Sequence, residues 1–65
     1  MKILIDGMTC NHCKESVEEA LSKIADVENY KVYLEEGYAE VTGNAKAEEI
    51  INAIEDIGFD AKEEQ

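Results

Sequence analysis

The sequence predicts an α+β chain whose elements run β-α-β-β-α-β. Stretches in which apolar and polar residues alternate are interleaved with stretches whose apolar residues recur every three to four positions. Two of the alternating stretches are separated only by "EEG", the spacing of an antiparallel hairpin. The two halves can also be laid on each other at an offset of 30 residues, which brings Glu18-Glu19 onto Glu48-Glu49, Ile24 onto Ile54 and Asp26 onto Asp56.

Residues 2–6 read as the first strand, with Ile3 and Ile5 on one face and Lys2, Leu4 and Asp6 on the other, ended by Gly7. From about residue 12 to 25, Cys13, Val17, Ala20, Leu21 and Ile24 recur at helical spacing while Glu15, Glu18, Glu19 and Lys23 face away, and Asn11 is the expected cap. Residues 28–34 and 38–42 alternate, with Tyr30, Val32 and Leu34 and then Ala39 and Val41 inward. Gly43-Asn44 is the expected start of a second helix with the stripe Ala47, Ile50, Ile51, Ile54 and Ile57. Glu48 and Glu49 lie near its positive end, and Gly58 caps the other. "FDAK", residues 59–62, is a short last strand before a charged tail expected to fray. At the 30-residue offset the loop after Gly7 reads as six residues longer than the loop after Gly43, and "MTCNHC" occupies the surplus. A loop longer than linking requires asks for a purpose.

The bulk numbers narrow that purpose. A chain of 65 residues is expected to be a single domain, 1–65, and at this size only about 60% of the unfolded surface is buried, so an enclosed substrate cavity is not expected. Six basic against sixteen acidic residues leave a net charge of −10, which repels nucleic acid and anionic lipid and favours metal cations and basic protein surfaces as partners. Asp6 interrupts the amino-terminal apolar run well short of a signal-peptide core, and no stretch approaches the ~20 apolar residues of a membrane span. A soluble, cytoplasmic protein is the expectation, and there a two-cysteine motif points to metal or redox chemistry rather than a structural staple.

Both cysteines, the only histidine and one of two methionines fall in "GMTCNHC", residues 7–13. A Cys-x-x-Cys pair at a helix start sets two sulfurs close together at the positive end of the helix dipole, which favours thiolates. A closed zinc cage needs four ligands, and two cysteines with one histidine between them do not supply it. Haem attachment needs His after the second cysteine, where this chain has Lys14. Thioredoxin-like oxidoreductases place a cis-proline opposite their pair, and the chain contains no proline. Two soft thiolates without a full cage suit an ion content with low coordination, and Cu(I) is the soft first-row ion that thiolates select. A thiol-disulfide redox protein is the reading from a different class.

"GMTCNHC" closely resembles the Gly-Met-Thr/Ser-Cys-x-x-Cys signature of the heavy-metal-associated domain, found as free copper chaperones and as amino-terminal domains of copper-transporting P-type ATPases. The likeness extends through "VEEAL", the hairpin and "AIEDIGFDA". It implies a ferredoxin-like βαββαβ sandwich, a four-stranded antiparallel sheet with two helices on one face, and Cys10 and Cys13 as metal ligands. It further implies a copper-trafficking protein rather than an enzyme, with a copper-transporting P-type ATPase or its metal-binding domain as partner. The chain is expected to be a monomer, with a metal-bridged dimer as the alternative, and carriage of Hg(II), Zn(II) or Cd(II) as the alternative cargo. Met1 and the polar end at Gln65 favour a free chaperone over a transporter domain.

Individual residues refine this. Met8 is expected in the core beneath the loop rather than on the metal. Thr9 stands where zinc-type relatives often carry Asp, so it favours copper or mercury over zinc. His12 lies between the cysteines and is expected to face solvent. Phe59, in the loop that the family fold brings beside the cysteines, reads either as a core aromatic of the last strand or as one that shields the site as well as packing. Asp26 stands where many members have Gly, and Asp tolerates a left-handed turn. Glu15, Glu18 and Glu19 form a candidate docking face for a basic partner.

Overall fold

A computed structural model describes residues 1–64 of the chain. The elements are β1 (Lys2–Asp6), α1 (Asn11–Ser22), β2 (Val27–Tyr33), β3 (Tyr38–Gly43), α2 (Ala47–Asp56) and β4 (Asp60–Glu64). The strands form one antiparallel sheet in the order β2-β3-β1-β4, with Ile3 opposite Ala39 on one side and Glu63 on the other. This is the ferredoxin-like α+β arrangement that the sequence predicts.

Alternation along the strands sends Ile3, Ile5, Val32, Ala39 and Val41 to the helix-covered face, where they meet Val17 and Leu21 of α1 and Ile50 and Ile54 of α2. Each large aliphatic side chain buried this way contributes about 1.5–3 kcal/mol. Among the described residues no polar or charged side chain is buried, so the core closes on apolar contacts alone. The opposite sheet face is open to solvent, and there Tyr33 stacks on Tyr38 at 4.7 Å between ring centroids.

Several boundaries differ from those expected. The cap of α1 is Cys10, not Asn11, which is the first helical residue, and α1 stops at Ser22 rather than 25. The second helix begins at Ala47, capped by Lys46 without a side-chain bond, not at Gly43-Asn44. Ile57 therefore falls outside α2 and is 41% exposed. Gly58 does close the helix: its N–H bonds to Glu55 O and that of Phe59 to Ile54 O. Tyr30 shares the inner face with Val41 but is 38% exposed, because β2 is an edge strand with nothing beyond it. Asp26 does not adopt a left-handed turn, since among the described residues only glycines have positive φ. The last strand starts and ends later than "FDAK" and reaches Glu64, where Lys2 pairs at 3.6 Å with the carboxylate; of the tail expected to fray, Gln65 lies outside the described residues.

The largest correction concerns the repeat. Three residues separate Gly7 from the start of α1 and three separate Gly43 from the start of α2, so the first loop is not longer than the second. The 30-residue offset aligned helix surfaces with similar residues but not equivalent positions. The loop of residues 8–10 is set apart by its side chains, not its length.

Candidate metal centre

The centre is assembled at the junction of β1 and α1. After Asp6 the chain turns at Gly7, and the Met8 side chain drops into the core, where it is 7% exposed. That anchor agrees with the expected packing role of Met8 and leaves Thr9 and Cys10 on the surface. Cys10 has extended backbone angles (φ −149°, ψ 172°), which turn the chain into the helix, and its side chain makes no capping bond. The first-turn amides of α1 are thus left without a side-chain acceptor from the cap, and α1 carries no acidic residue in that turn to offset its positive end.

Cys13, one turn along, is half-buried and packs against the core, whereas Cys10 is exposed. The structure brings the two Sγ atoms to 3.4 Å, with both cysteines as free thiols. This exceeds the ~2.05 Å of a disulfide and lies within sulfur hydrogen-bonding reach. The Thr9 backbone amide, then the Cys10 thiol and the Cys10 backbone amide, donate toward the Cys13 sulfur and hold its pKa below the ordinary 9.0; partial burial opposes them, and the Thr9 hydroxyl adds a smaller lowering. Donors aimed at a sulfur favour the anionic form, the form that attacks and that ligates metal.

His12 is exposed on α1, as expected. Among the described residues no group of three or more His, Cys, Asp or Glu side chains gathers into a cage, so the donor set here is two sulfurs. Phe59 is half-buried against the core, and its Cδ1 lies 3.4 Å from where a Cβ on Gly7 would stand, which sets the ring beside the first residue of the loop. Glu15 and Glu19 are exposed and Glu18 half-exposed along α1. Two surface grooves of about 420 and 430 Å³ lie elsewhere, one along β1 and β4 and the other between the helices.

Two features of the centre escaped the sequence reading. One is the convergence of the Thr9 and Cys10 amides on Cys13, which depends on backbone direction. The other is the half-burial of Lys14, the residue directly after Cys13.

A profile of the heavy-metal-associated domain matches residues 2–60. The copper chaperone CopZ of Enterococcus hirae is 39% identical over 61 residues, spanning 89% of this chain and 88% of that protein. Human copper-transporting ATPase 2 is 44% identical over 62 residues, spanning 91% of this chain but 4% of the transporter. The solved structure of a CopZ metallochaperone superposes with a TM-score of 0.89 at 35% identity, covering 95% of this chain and 97% of that one. No helix among the described residues is long and apolar enough to cross a membrane. The profile match over nearly the whole length, joined to the paired thiols at the start of α1, shows that this chain belongs to the heavy-metal-associated domain family.

Proposed function

We propose that the chain is a single cytoplasmic domain, residues 1–65, that binds one Cu(I) through Cys10 and Cys13 and passes it to or from a copper-transporting P-type ATPase, acting as a carrier and not as an enzyme. The observation that carries this reading is the pair of free thiols 3.4 Å apart at the positive end of α1, with no third donor gathered beside them among the described residues. A site that leaves the ion under-coordinated lets an incoming thiolate reach it.

Transfer then proceeds by ligand exchange. A thiolate of the partner adds to the ion, and one of this chain's sulfurs leaves and recovers a proton; a second exchange completes the hand-over, with copper remaining Cu(I) throughout. The exposed Cys10 is the sulfur a partner meets first, while Cys13, held by backbone donors and the core, is the sulfur released last. The acidic face of α1 supplies long-range attraction to a basic partner surface. The chain works as a monomer, because each copy carries its own complete pair.

Native mass spectrometry of the reduced protein titrated with Cu(I), Zn(II) and Hg(II) against glutathione tests the proposal. One Cu(I) per chain is expected, and Cys10→Ser and Cys13→Ser are each expected to abolish tight binding. Retention of wild-type affinity by either variant, or X-ray absorption showing mainly nitrogen and oxygen neighbours, would refute it.

A further inference from the structure

The geometry points to Lys14 as a residue that biases the thiol pair toward a monovalent cargo, an inference that rests on the Cu(I) site proposed above. Lys14 follows Cys13 directly, and its backbone N–H donates to the Cys10 carbonyl at 3.1 Å, so it stands one full helical turn after Cys10 on the same side of α1. Side chains on a helix lean toward its N-terminus. A side chain of that lean runs back toward the turn that holds the thiols, and the residue is half-buried rather than fully exposed as lysines ordinarily are.

Among the described residues no carboxylate claims that charge. Neither of the two ion pairs among the described residues involves Lys14. Its candidate partner on the helix is Glu18, four residues on, but a lysine preceding its glutamate is the weaker order for such a pair. The same helix shows the contrast: Glu19 precedes Lys23 and the two are joined at 3.3 Å. The first turn of α1 has no acidic residue, so nothing there neutralises Lys14 in place of the metal site.

Charge balance gives this cation its effect. Two thiolates around one Cu(I) make a complex of charge −1, whereas around a divalent ion such as Hg(II) they make a neutral one. In a chain whose net charge is already −10, the added negative charge is opposed by the rest of the molecule. A nearby ammonium offsets that opposition for Cu(I) and does nothing for Hg(II). Lys14 touches no metal in this account; it acts on the charge of the dithiolate complex.

The test compares the reduced wild type with Lys14→Gln and Lys14→Arg. Cu(I) affinity is read against a colorimetric Cu(I) chelator and Hg(II) affinity against a competing dithiol. Replacing the cation with Gln is expected to weaken Cu(I) binding roughly fivefold, the size of one partly screened charge interaction, with the loss shrinking as salt rises. Arg is expected to restore Cu(I) affinity, and Hg(II) affinity is expected to be unchanged in both variants. Equal losses for Cu(I) and Hg(II), or a shifted thermal melt of the apo protein that tracks the affinity loss, would show that Lys14 only packs against the turn and would overturn the inference. So would an unchanged Cu(I) affinity in Lys14→Gln. If instead the wild type binds Cu(I) no better than its Cys10→Ser variant, the copper site itself is refuted and the role of Lys14 falls with it.

Discussion

Replacing Gly43 with Ala is expected to damage the fold far more than the same change at Gly7, although both glycines have positive φ, 136° and 94° respectively. The cause is the bulge in β2, where Val27 pairs with Gly43 and Asn29 with Thr42, leaving Glu28 unpaired and pressing the bulged backbone against Gly43. A Cβ at Gly43 would stand 2.7 Å from Glu28 N and 3.1 Å from Val27 Cα, and closer still to the Asp26 carbonyl oxygen. All three are main-chain atoms, so relief requires moving the strand. Backbone strain at such a φ costs about 1–3 kcal/mol, and displacing packed atoms adds about 1–3 kcal/mol more. At Gly7 the nearest atom to the new Cβ is Phe59 Cδ1 at 3.4 Å, an ordinary contact with a side chain. Only the strain remains there, about 1 kcal/mol. For a small domain each kcal/mol moves the melting temperature by about 4–8 °C, which places Gly43→Ala about 20 °C below wild type and Gly7→Ala about 6 °C below. Circular dichroism melts of the reduced, metal-free proteins measure both. Gly43 also lies at the end of the sheet away from residues 7–13, so the folded Gly43→Ala protein is expected to keep its Cu(I) affinity. A Gly43→Ala melt within 5 °C of wild type, or equal losses at the two positions, would refute the steric reasoning.

The reduced apo protein is expected to show a folded circular dichroism spectrum, because the core is apolar throughout and needs no metal to close; a random-coil spectrum that folds only on adding metal would contradict this. Lowering of the Cys13 pKa from 9.0 means the folded state binds that proton less tightly than the unfolded chain, so this cysteine stabilises the fold above the unfolded value and the contribution fades as pH falls through the folded one. Apo melting temperatures should therefore rise more steeply toward pH 9.0 in wild type than in Cys13→Ser, and identical slopes would show that the backbone donors have no effect on the thiolate. Reversing Glu15 and Glu18 to Lys should slow stopped-flow copper transfer to the partner, as should raising salt until the Debye length falls from ~30 to ~8 Å. Rates indifferent to both changes would mark the acidic face as solvated surface only.

The identity and order of the elements follow from the residues alone, as does the resemblance of the loop to a metal-binding signature. Apolar periodicity is a local property, so Ile3 and Ile5, Val17 and Leu21, and Ile50 and Ile54 could be placed on inward faces without knowing what lay opposite, and all six are buried. Two cysteines three apart, with no other thiol in the chain, point to soft-metal donors or a redox pair from the residues alone. Element ends were not legible, because neither helix uses a side-chain cap: Cys10 and Lys46 hold cap positions that Asn11 and Asn44 advertise better. The false surplus of six residues in the first loop came instead from the 30-residue offset, since Gly7 and Gly43, and likewise the caps Cys10 and Lys46, are 36 apart. The order β2-β3-β1-β4 came from long-range pairing, Ile3 with Ala39 and with Glu63, and it is that order that makes β2 an edge and leaves Tyr30 exposed despite its inward register. The 3.4 Å between the thiols, the donors converging on Cys13 and the half-burial of Lys14 were likewise decided by tertiary structure. Each depends on how α1 follows β1 while Met8 seats in a core built from both halves of the chain, information that no window of neighbouring residues contains.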